Sequence, residues 1–403
     1  MTTERVVLSG VAIDNVSMDE AVHAIDRMID TGGFHQIATA NVDFLRRTLH
    51  DSELLDILRK CTLVLADGMP LVWASRWMGV PLRERVTGAD LIPRLLHLSA
   101  DKGRRIFLLG ATEERSAQAA LRIQKDYPGA QICGRFCPPF GPLETMDHQA
   151  ILDAITAAQP DILLVAFGCP KQEKWLNMHR DMLKVPVCVG VGASIDFLSG
   201  HQSRAPEWLQ RTGMEWVYRL ASEPRRLAMR YIEDALYVLQ HLSAQMMASS
   251  LQPRGGAPGE AALLESGHGT ITVLLTGVIT TDLIRRLSFD LNNRMQSCAA
   301  LIVDLGGAVS LPANAVALLA ELARSCAAHN AQMCVTGARR SLRELFRATF
   351  PSGLPFQTAL TPQQALGAML PVDPAARAIG TANNGARSTK TLRASLSSDL
   401  EGS

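Results

Sequence analysis

The chain has 403 residues, 47% of them apolar and 20% charged, with a formal net charge of +1. That length suits two or three domains at roughly 100–200 residues each, and the near-neutral balance excludes a global field for nucleic acid, so no nucleic-acid partner is expected. The eight cysteines show neither disulfide-framework nor zinc-site spacing, which is the pattern of free thiols in a reducing compartment.

The N-terminus carries Glu4 and Arg5 and has no long apolar run, so it does not read as a signal peptide. No apolar stretch predicts a transmembrane helix. Residues 1–200 alternate short apolar runs with helical patterns. Val6–Leu8, Gln36–Ala40, Leu63–Ala66, Arg105–Leu109, Ile132–Phe136, Ile162–Ala166 and Val187–Val191 read as strands. Met18–Thr31, Val42–Lys60, Asp90–Lys102, Glu114–Tyr127, His148–Gln159 and Gln172–Leu183 read as helices. Such alternation predicts an α/β fold with a mostly parallel sheet covered on both faces, of the Rossmann-like kind. Ligands then bind beyond the carboxyl ends of the strands.

Residues 201–246 read as a basic helical appendage, with Pro206 and Pro224 opening separate stretches. Arg204, Arg211, Arg219, Arg225, Arg226 and Arg230 are interleaved with Trp208, Trp216, Tyr218, Leu220, Leu227 and Tyr231. The commoner outcome for such a run is a solvated amphipathic face. Residues 247–269, rich in Gly, Pro, Ser and Ala, read as a linker. Residues 270–370 read as a second small α/β unit: strands at Ile271–Leu275, Leu301–Leu305 and Gln332–Thr336, helices at Ala313–His329 and Ser341–Ala348. The polar tail 371–403 reads as disordered.

Three loops at strand ends carry candidate chemistry. Thr39-Ala40-Asn41 can cap a helix or bind a ligand at its positive end. Asp67, in Ala66-Asp67-Gly68-Met69-Pro70, is either a turn aspartate bonded to its own backbone or a carboxylate base or ribose ligand at the sheet's ligand edge. Gly168-Cys169-Pro170-Lys171-Gln172 is either a plain connection or a loop whose amides face the crevice. Gly190-Val191-Gly192-Ala193-Ser194-Ile195 fails the GxGxxG pattern at Ile195, which argues against a nicotinamide-dependent oxidoreductase. There is no Asp-x-Asp pair to hold a divalent metal against a diphosphate. A leaving diphosphate would then need arginines and helix N-termini.

Together these stretches resemble the WecG/TagA/CpsF glycosyltransferases, glycosyltransferase family 26. The resemblance covers about residues 5–245 and rests on TANVDF at 39–44, ADGMPLVW at 66–73, RVTGAD at 85–90, FLLGAT at 107–112, FGCPKQEKW at 167–175, VGVGASIDFLSGHQSRAPEW at 189–208 and GMEWVYRLASEPRRLAMRY at 213–231. It implies an inverting, metal-independent hexosyltransferase with no cofactor. Such an enzyme moves a hexose or N-acetylmannosamine-type sugar from a UDP-sugar to a polyprenyl-diphosphate-linked saccharide in cell-surface or exopolysaccharide biosynthesis. The family's aspartate base matches Asp67; its pocket Thr, Asn and Gln match Thr39, Asn41 and Gln172; Arg85 and Asp196 fall on motif positions. Residues 200–246 are similar to the family's appendage, which docks on the membrane and closes over the active site with arginines. Arg219 and Arg226 are the candidates for that role, with Arg230 as a third. The resemblance therefore implies a cytoplasmic protein held peripherally at the inner face of the cytoplasmic membrane.

Residues 270–370 resemble a STAS-like domain through TVLLTGVIT at 272–280 and LIVDLGGAV at 301–309. Phosphorylatable members open the following helix with a serine, whereas this chain reads Leu311-Pro312-Ala313-Asn314-Ala315. A unit without the serine phosphoswitch is expected, for docking of a protein partner, small-ligand sensing or architecture. The rival reading of the whole chain is a non-catalytic UDP-sugar-sensing regulatory protein acting through this unit.

Overall fold

The computed structural model describes residues 4–201, 205–253, 255–266, 269–295 and 298–369; the expected disordered tail lies outside the described residues. The chain divides into two compact units, Met1–Met246 and Met247–Ser403.

The first unit opens with an antiparallel hairpin, β1 (Arg5–Leu8) and β2 (Val11–Asp14). The expected first strand therefore pairs locally and stays out of the main sheet. That sheet has six strands: β3 (His35–Ala40), β4 (Leu63–Ala66), β5 (Arg105–Gly110), β6 (Gln131–Phe136), β7 (Ile162–Ala166) and β8 (Val187–Gly190). They run in the order β4-β3-β8-β7-β5-β6, every neighbouring pair parallel.

Strands β7 (ILLVA) and β8 (VCVG), and β5 after Arg105, carry no polar side chain because both faces are covered. Ile106, Leu108, Ile162, Leu164, Val187 and Val189 join one core with Leu91, Leu95 and Ile123. Phe107, Leu109, Leu163, Val165 and Cys188 join the other with Ile151, Trp175 and Leu176. Alternate residues of one strand point to opposite faces, so a continuous apolar run is what a twice-covered strand requires. Trp175, among the largest fully buried side chains, donates its indole N–H to His148 Nδ1 at 3.1 Å.

Two helix boundaries differ from expectation. The pattern read as one helix over 42–60 is two, Val42–Arg47 and Ser52–Lys60. Asp51 accepts from the Leu54 amide at 2.9 Å and so starts a new helix. Met69–Trp77 is a helix to which the sequence pattern assigned no element. Pro70 suits a first helical turn, where its missing N–H has no partner to lose. Gly68, at φ +152°, supplies the backbone conformation that joins this helix to β4.

The appendage consists of Glu207–Thr212, Glu215–Ser222 and Pro224–Tyr237, the last continuing through Val238–Leu242 and Ser243–Ser250. It packs on the core at several points. A Cβ at Gly213 would lie 2.6 Å from Met69 Cγ, so the backbone itself touches the Met69–Trp77 helix. Arg46 pairs with Glu233 at 2.9 Å and Asp234 at 3.1 Å. Buried Gln245 donates to the Val7 carbonyl at 2.8 Å and accepts from the Ser9 amide at 3.0 Å, at the turn of the opening hairpin.

The second unit has five strands: β9 (Glu260–Ser266), β10 (Thr270–Val278), β11 (Ala300–Ser310), β12 (Gln332–Thr336) and β13 (Gln357–Ala359). Their order is β13-β12-β11-β10-β9, with only β9 antiparallel to its neighbour. β9 lies inside the stretch read as a linker. Its alternation is weak because it is an edge strand, half-buried at most. Helices Thr281–Asn292, Ala313–Ala328, Arg340–Thr349 and Pro362–Met369 accompany the sheet. Among the described residues, no helix is long and apolar enough to cross a membrane. All eight cysteines are free.

Candidate active site

The carboxyl ends of β3 and β4 meet the appendage around a cavity of about 260 Å³. Asn41, Asp67, Gly68, Met69, Arg85, Thr87, Glu215, Trp216, Arg219, Arg230, Tyr231 and Asp234 are among its lining residues. Core and appendage therefore supply one site between them.

Asp67 follows β4 directly, and its amide donates to the Ala40 carbonyl at 2.8 Å, locking the end of β4 to the end of β3. The side chain is half-buried. Burial pushes its pKa up to about 6, against the pull of Arg219, Arg85 and the Gly88 amide and with a further upward push from Glu215. A carboxyl group so poised exchanges a proton near neutral pH, as a general base must. Asn41 caps the Val42–Arg47 helix by accepting from the Phe44 amide at 3.3 Å and also lines the cavity. The two readings of this position, cap and ligand contact, are compatible.

The arginines come from three elements. Arg85, just before the Gly88–Lys102 helix, donates to Glu215 at 3.2 Å and approaches Asp90 at 3.5 Å. Arg219 donates through Nε and Nη2 to Glu215 Oε1 at 3.1 and 2.7 Å, and its guanidinium lies 4.9 Å from the Phe197 ring centre. Arg230 stands 3.7 Å from Asp234 and 3.9 Å from Asp43. The Arg226 side chain falls outside the described residues, so its expected role has no geometry here.

Three expected pocket residues do not line the cavity. Thr39 is buried and donates its hydroxyl to the Gly190 carbonyl at 3.2 Å, joining β3 to β8. It sits beneath Gly88, whose Cβ position would be 3.6 Å from the Thr39 oxygen. Gln172 is 2% exposed. Its oxygen accepts from the Gly168 and Gly192 amides at 3.2 and 3.0 Å, and its amide nitrogen donates to Glu173 at 2.7 Å. It ties the loops after β7 and β8 to each other. Asp196 accepts from Arg115 at 3.1 Å. Side chains at strand ends point either into the crevice or back into the protein, and position along the chain does not say which.

Glu215 is a cavity residue that the sequence pattern does not single out. It is 7% exposed and bridges Arg85 and Arg219. Its nearness to Arg219, four residues along one helix, was the available signal.

Residues 6–251 match the family model described as the Glycosyl transferase WecG/TagA/CpsF family. The chain is 33% identical over 190 residues to the N-acetylglucosaminyldiphosphoundecaprenol N-acetyl-beta-D-mannosaminyltransferase of Bacillus spizizenii, covering 47% of this chain and 72% of that protein. The protein of the same name from Bacillus subtilis is 31% identical over 232 residues, covering 58% and 87%. Among solved structures, the unphosphorylated anti-sigma factor antagonist SpoIIAA matches 27% of this chain and 96% of its own, at 13% identity and a TM-score of 0.24, too low to carry an argument.

Proposed function

With the chain a member of the WecG/TagA/CpsF glycosyl transferase family and a hexosyltransferase, we propose that it transfers an N-acetylmannosamine-type sugar from a UDP-sugar to a polyprenyl-diphosphate-linked saccharide, by one inverting displacement without metal. One observation carries this reading: a half-buried carboxylate with a pKa near 6 shares a single cavity with the guanidiniums of Arg85, Arg219 and Arg230.

Asp67 takes the proton of the acceptor hydroxyl. The freed oxygen bonds to the anomeric carbon as the bond from that carbon to the UDP oxygen breaks on the opposite face. Configuration inverts, and the electron pair leaves on the diphosphate. The arginines sit where that negative charge grows, and fixed cations in a partly dry cleft stabilise it more than water would. The proton remains on Asp67 until bulk solvent removes it. Asn41, at the positive end of its helix, is suited to orient a sugar hydroxyl.

The reaction assay is incubation with a panel of UDP-sugars and a polyprenyl-diphosphate-linked N-acetylglucosamine acceptor. UDP release is expected to require the acceptor and to be unchanged in EDTA. A requirement for added magnesium or manganese would remove the metal-free mechanism. Tight UDP-sugar binding with no turnover would favour the sensing protein.

The acceptor is lipid-borne in this reading, and the appendage has a surface suited to lipid. Met229, Ile232, Leu236 and Leu239 are exposed at helical spacing, and Trp208 and Trp216 are exposed nearby. With exposed Arg225 on the same helix, this is the composition of an interfacial helix on anionic lipid. The full chain should float with vesicles containing phosphatidylglycerol. Replacing both Ile232 and Leu236 by Glu should reduce the bound fraction at least about fivefold, since each buried apolar side chain contributes roughly 1.5–3 kcal/mol. Unchanged flotation would move the lipid contact elsewhere.

A further inference from the structure

The cavity holds more charge than one displacement needs, and the way it is paired is informative. Asp67, Glu215, Arg85 and Arg219 all line it. Both arginines are near enough to influence Asp67 electrostatically, yet among the described residues Asp67 takes part in no ion pair. The guanidinium donors are turned to Glu215: Arg219 through Nε and Nη2 onto Oε1, Arg85 through Nη1 onto Oε2. Asp90 holds the far side of Arg85 and is itself fixed by the Thr87 hydroxyl at 2.7 Å.

We infer that Glu215 is a positioning residue that keeps Arg85 and Arg219 off the Asp67 carboxylate, leaving that carboxylate free to take the acceptor proton. The inference rests on the transferase reading above and concerns what makes its base usable. A partly buried guanidinium stripped of its carboxylate is drawn to another nearby, because an unpaired charge in a partly dry cleft is costly. Without Glu215, Arg85 keeps only the longer contact with Asp90, and Asp67 is a cavity carboxylate within electrostatic reach of both arginines. Paired there, Asp67 would be a weaker base and would be shielded from the acceptor hydroxyl. Glu215 also raises the affinity of Asp67 for a proton through its own charge.

The other charged groups at the cavity do not substitute for this arrangement. From the Pro224–Tyr237 helix, Arg230 stands between Asp234 and Asp43, the latter on the Val42–Arg47 helix, so its charge is balanced there. Arg46 completes that cluster with Asp43 and Asp234. Tyr231 has its phenol held protonated by burial, against the opposing pull of Arg219 and Arg230.

The test uses the full chain with Glu215→Gln, Glu215→Asp and the double variant Glu215→Gln/Arg85→Gln, following kcat and KM from pH 5 to 9. For Glu215→Gln, the acidic limb of kcat should move down by about one pH unit, and plateau kcat should fall about tenfold, as a weaker base requires. Donor KM should stay within about twofold. Glu215→Asp should keep the wild-type limb; in the double variant, with one cation fewer to collapse, the limb should return part of the way while plateau kcat stays low, because Arg85 is one of the arginines assigned to the diphosphate. A purely structural role would lower activity equally at all pH values and leave the limb in place; that outcome overturns the inference. The double variant also serves if Glu215→Gln does not fold, since it does not strand the Arg85 charge. A second readout needs no turnover: in carboxyl-13C-aspartate-labelled protein, the Asp67 resonance is the one lost in Asp67→Asn. Its titration midpoint should fall in Glu215→Gln. If the wild type transfers no sugar but this midpoint falls, the transferase reading fails and the role of Glu215 stands. An unmoved midpoint ends the proposal whatever the activity.

Discussion

Asp67→Asn should fold, bind UDP-sugar and lose about a thousandfold in kcat, the middle of the range for removing a general base. The amide keeps the size and polarity of the side chain but cannot accept the proton. In the wild type, the pKa near 6 sets the pH response. The base is active only when ionised, so kcat/KM should fall about tenfold per unit below pH 6 and level off above it. Stability should move the other way. The folded-state pKa of Asp67 lies above its unfolded value, so the unfolded chain releases this proton more readily and ionisation at neutral pH works against folding. Asp67→Asn should therefore raise Tm at pH 7–8. The gain should shrink as pH falls through 6 and vanish below about 4, where Asp67 is protonated in both states. Pre-steady-state sugar transfer and thermal melts across pH measure both effects. Wild-type turnover by the variant would take Asp67 out of the chemistry, and a lowered Tm at pH 8 would show that the carboxylate is not held against its preference.

Arg219→Ala should cost about a hundredfold or more in kcat, the loss seen when one fixed donor to a developing negative charge is removed. Among the described residues, Arg219 is the appendage arginine fixed most firmly at the cavity: Glu215 holds two of its nitrogens and the Phe197 ring lies against its guanidinium. The effect should appear in kcat more than in donor KM, because the diphosphate gains charge as the sugar leaves. Arg219→Lys should recover only part of the rate, since an ammonium restores the charge but not the planar fork. Single-turnover measurement at saturating donor separates the two effects. A variant with normal kcat and raised KM would make Arg219 a ground-state binder only.

These expectations bear on how the appendage works. In this structure it lies on the core, held through Gly213 against Met69, Arg46 with Glu233 and Asp234, and Gln245 at the opening hairpin. The Arg85–Glu215 pair adds a tie inside the cavity itself. Asp67, assigned to the proton, thus resides on the core with Arg85, while Arg219 and Arg230, also assigned to the diphosphate, reside on the appendage.

The parallel sheet was legible because burial on both faces writes apolar runs such as Ile162–Ala166 directly into the sequence. Asp67 was legible for a related reason: a carboxylate straight after a buried strand, followed by Gly68 and Pro70, sits at the sheet's ligand edge. The opening hairpin and the edge strand Glu260–Ser266 were not. The first is a short apolar run that pairs with its neighbour, and the second is only half-buried, so neither has a distinctive period.

By itself, the sequence determined the alternation of strands and helices, the loops that face the ligand edge, and the concentration of arginines in the appendage, since each depends on residues within one turn or one strand of each other. Only the tertiary structure decided that Thr39 and Gln172 turn inward while Asn41 and Asp67 face the cavity, and that Glu215 draws Arg85 and Arg219 to itself. Those outcomes depend on side-chain direction and on pairings such as Arg85 with Glu215, 130 residues apart, and no local period encodes which distant charge a buried guanidinium will meet.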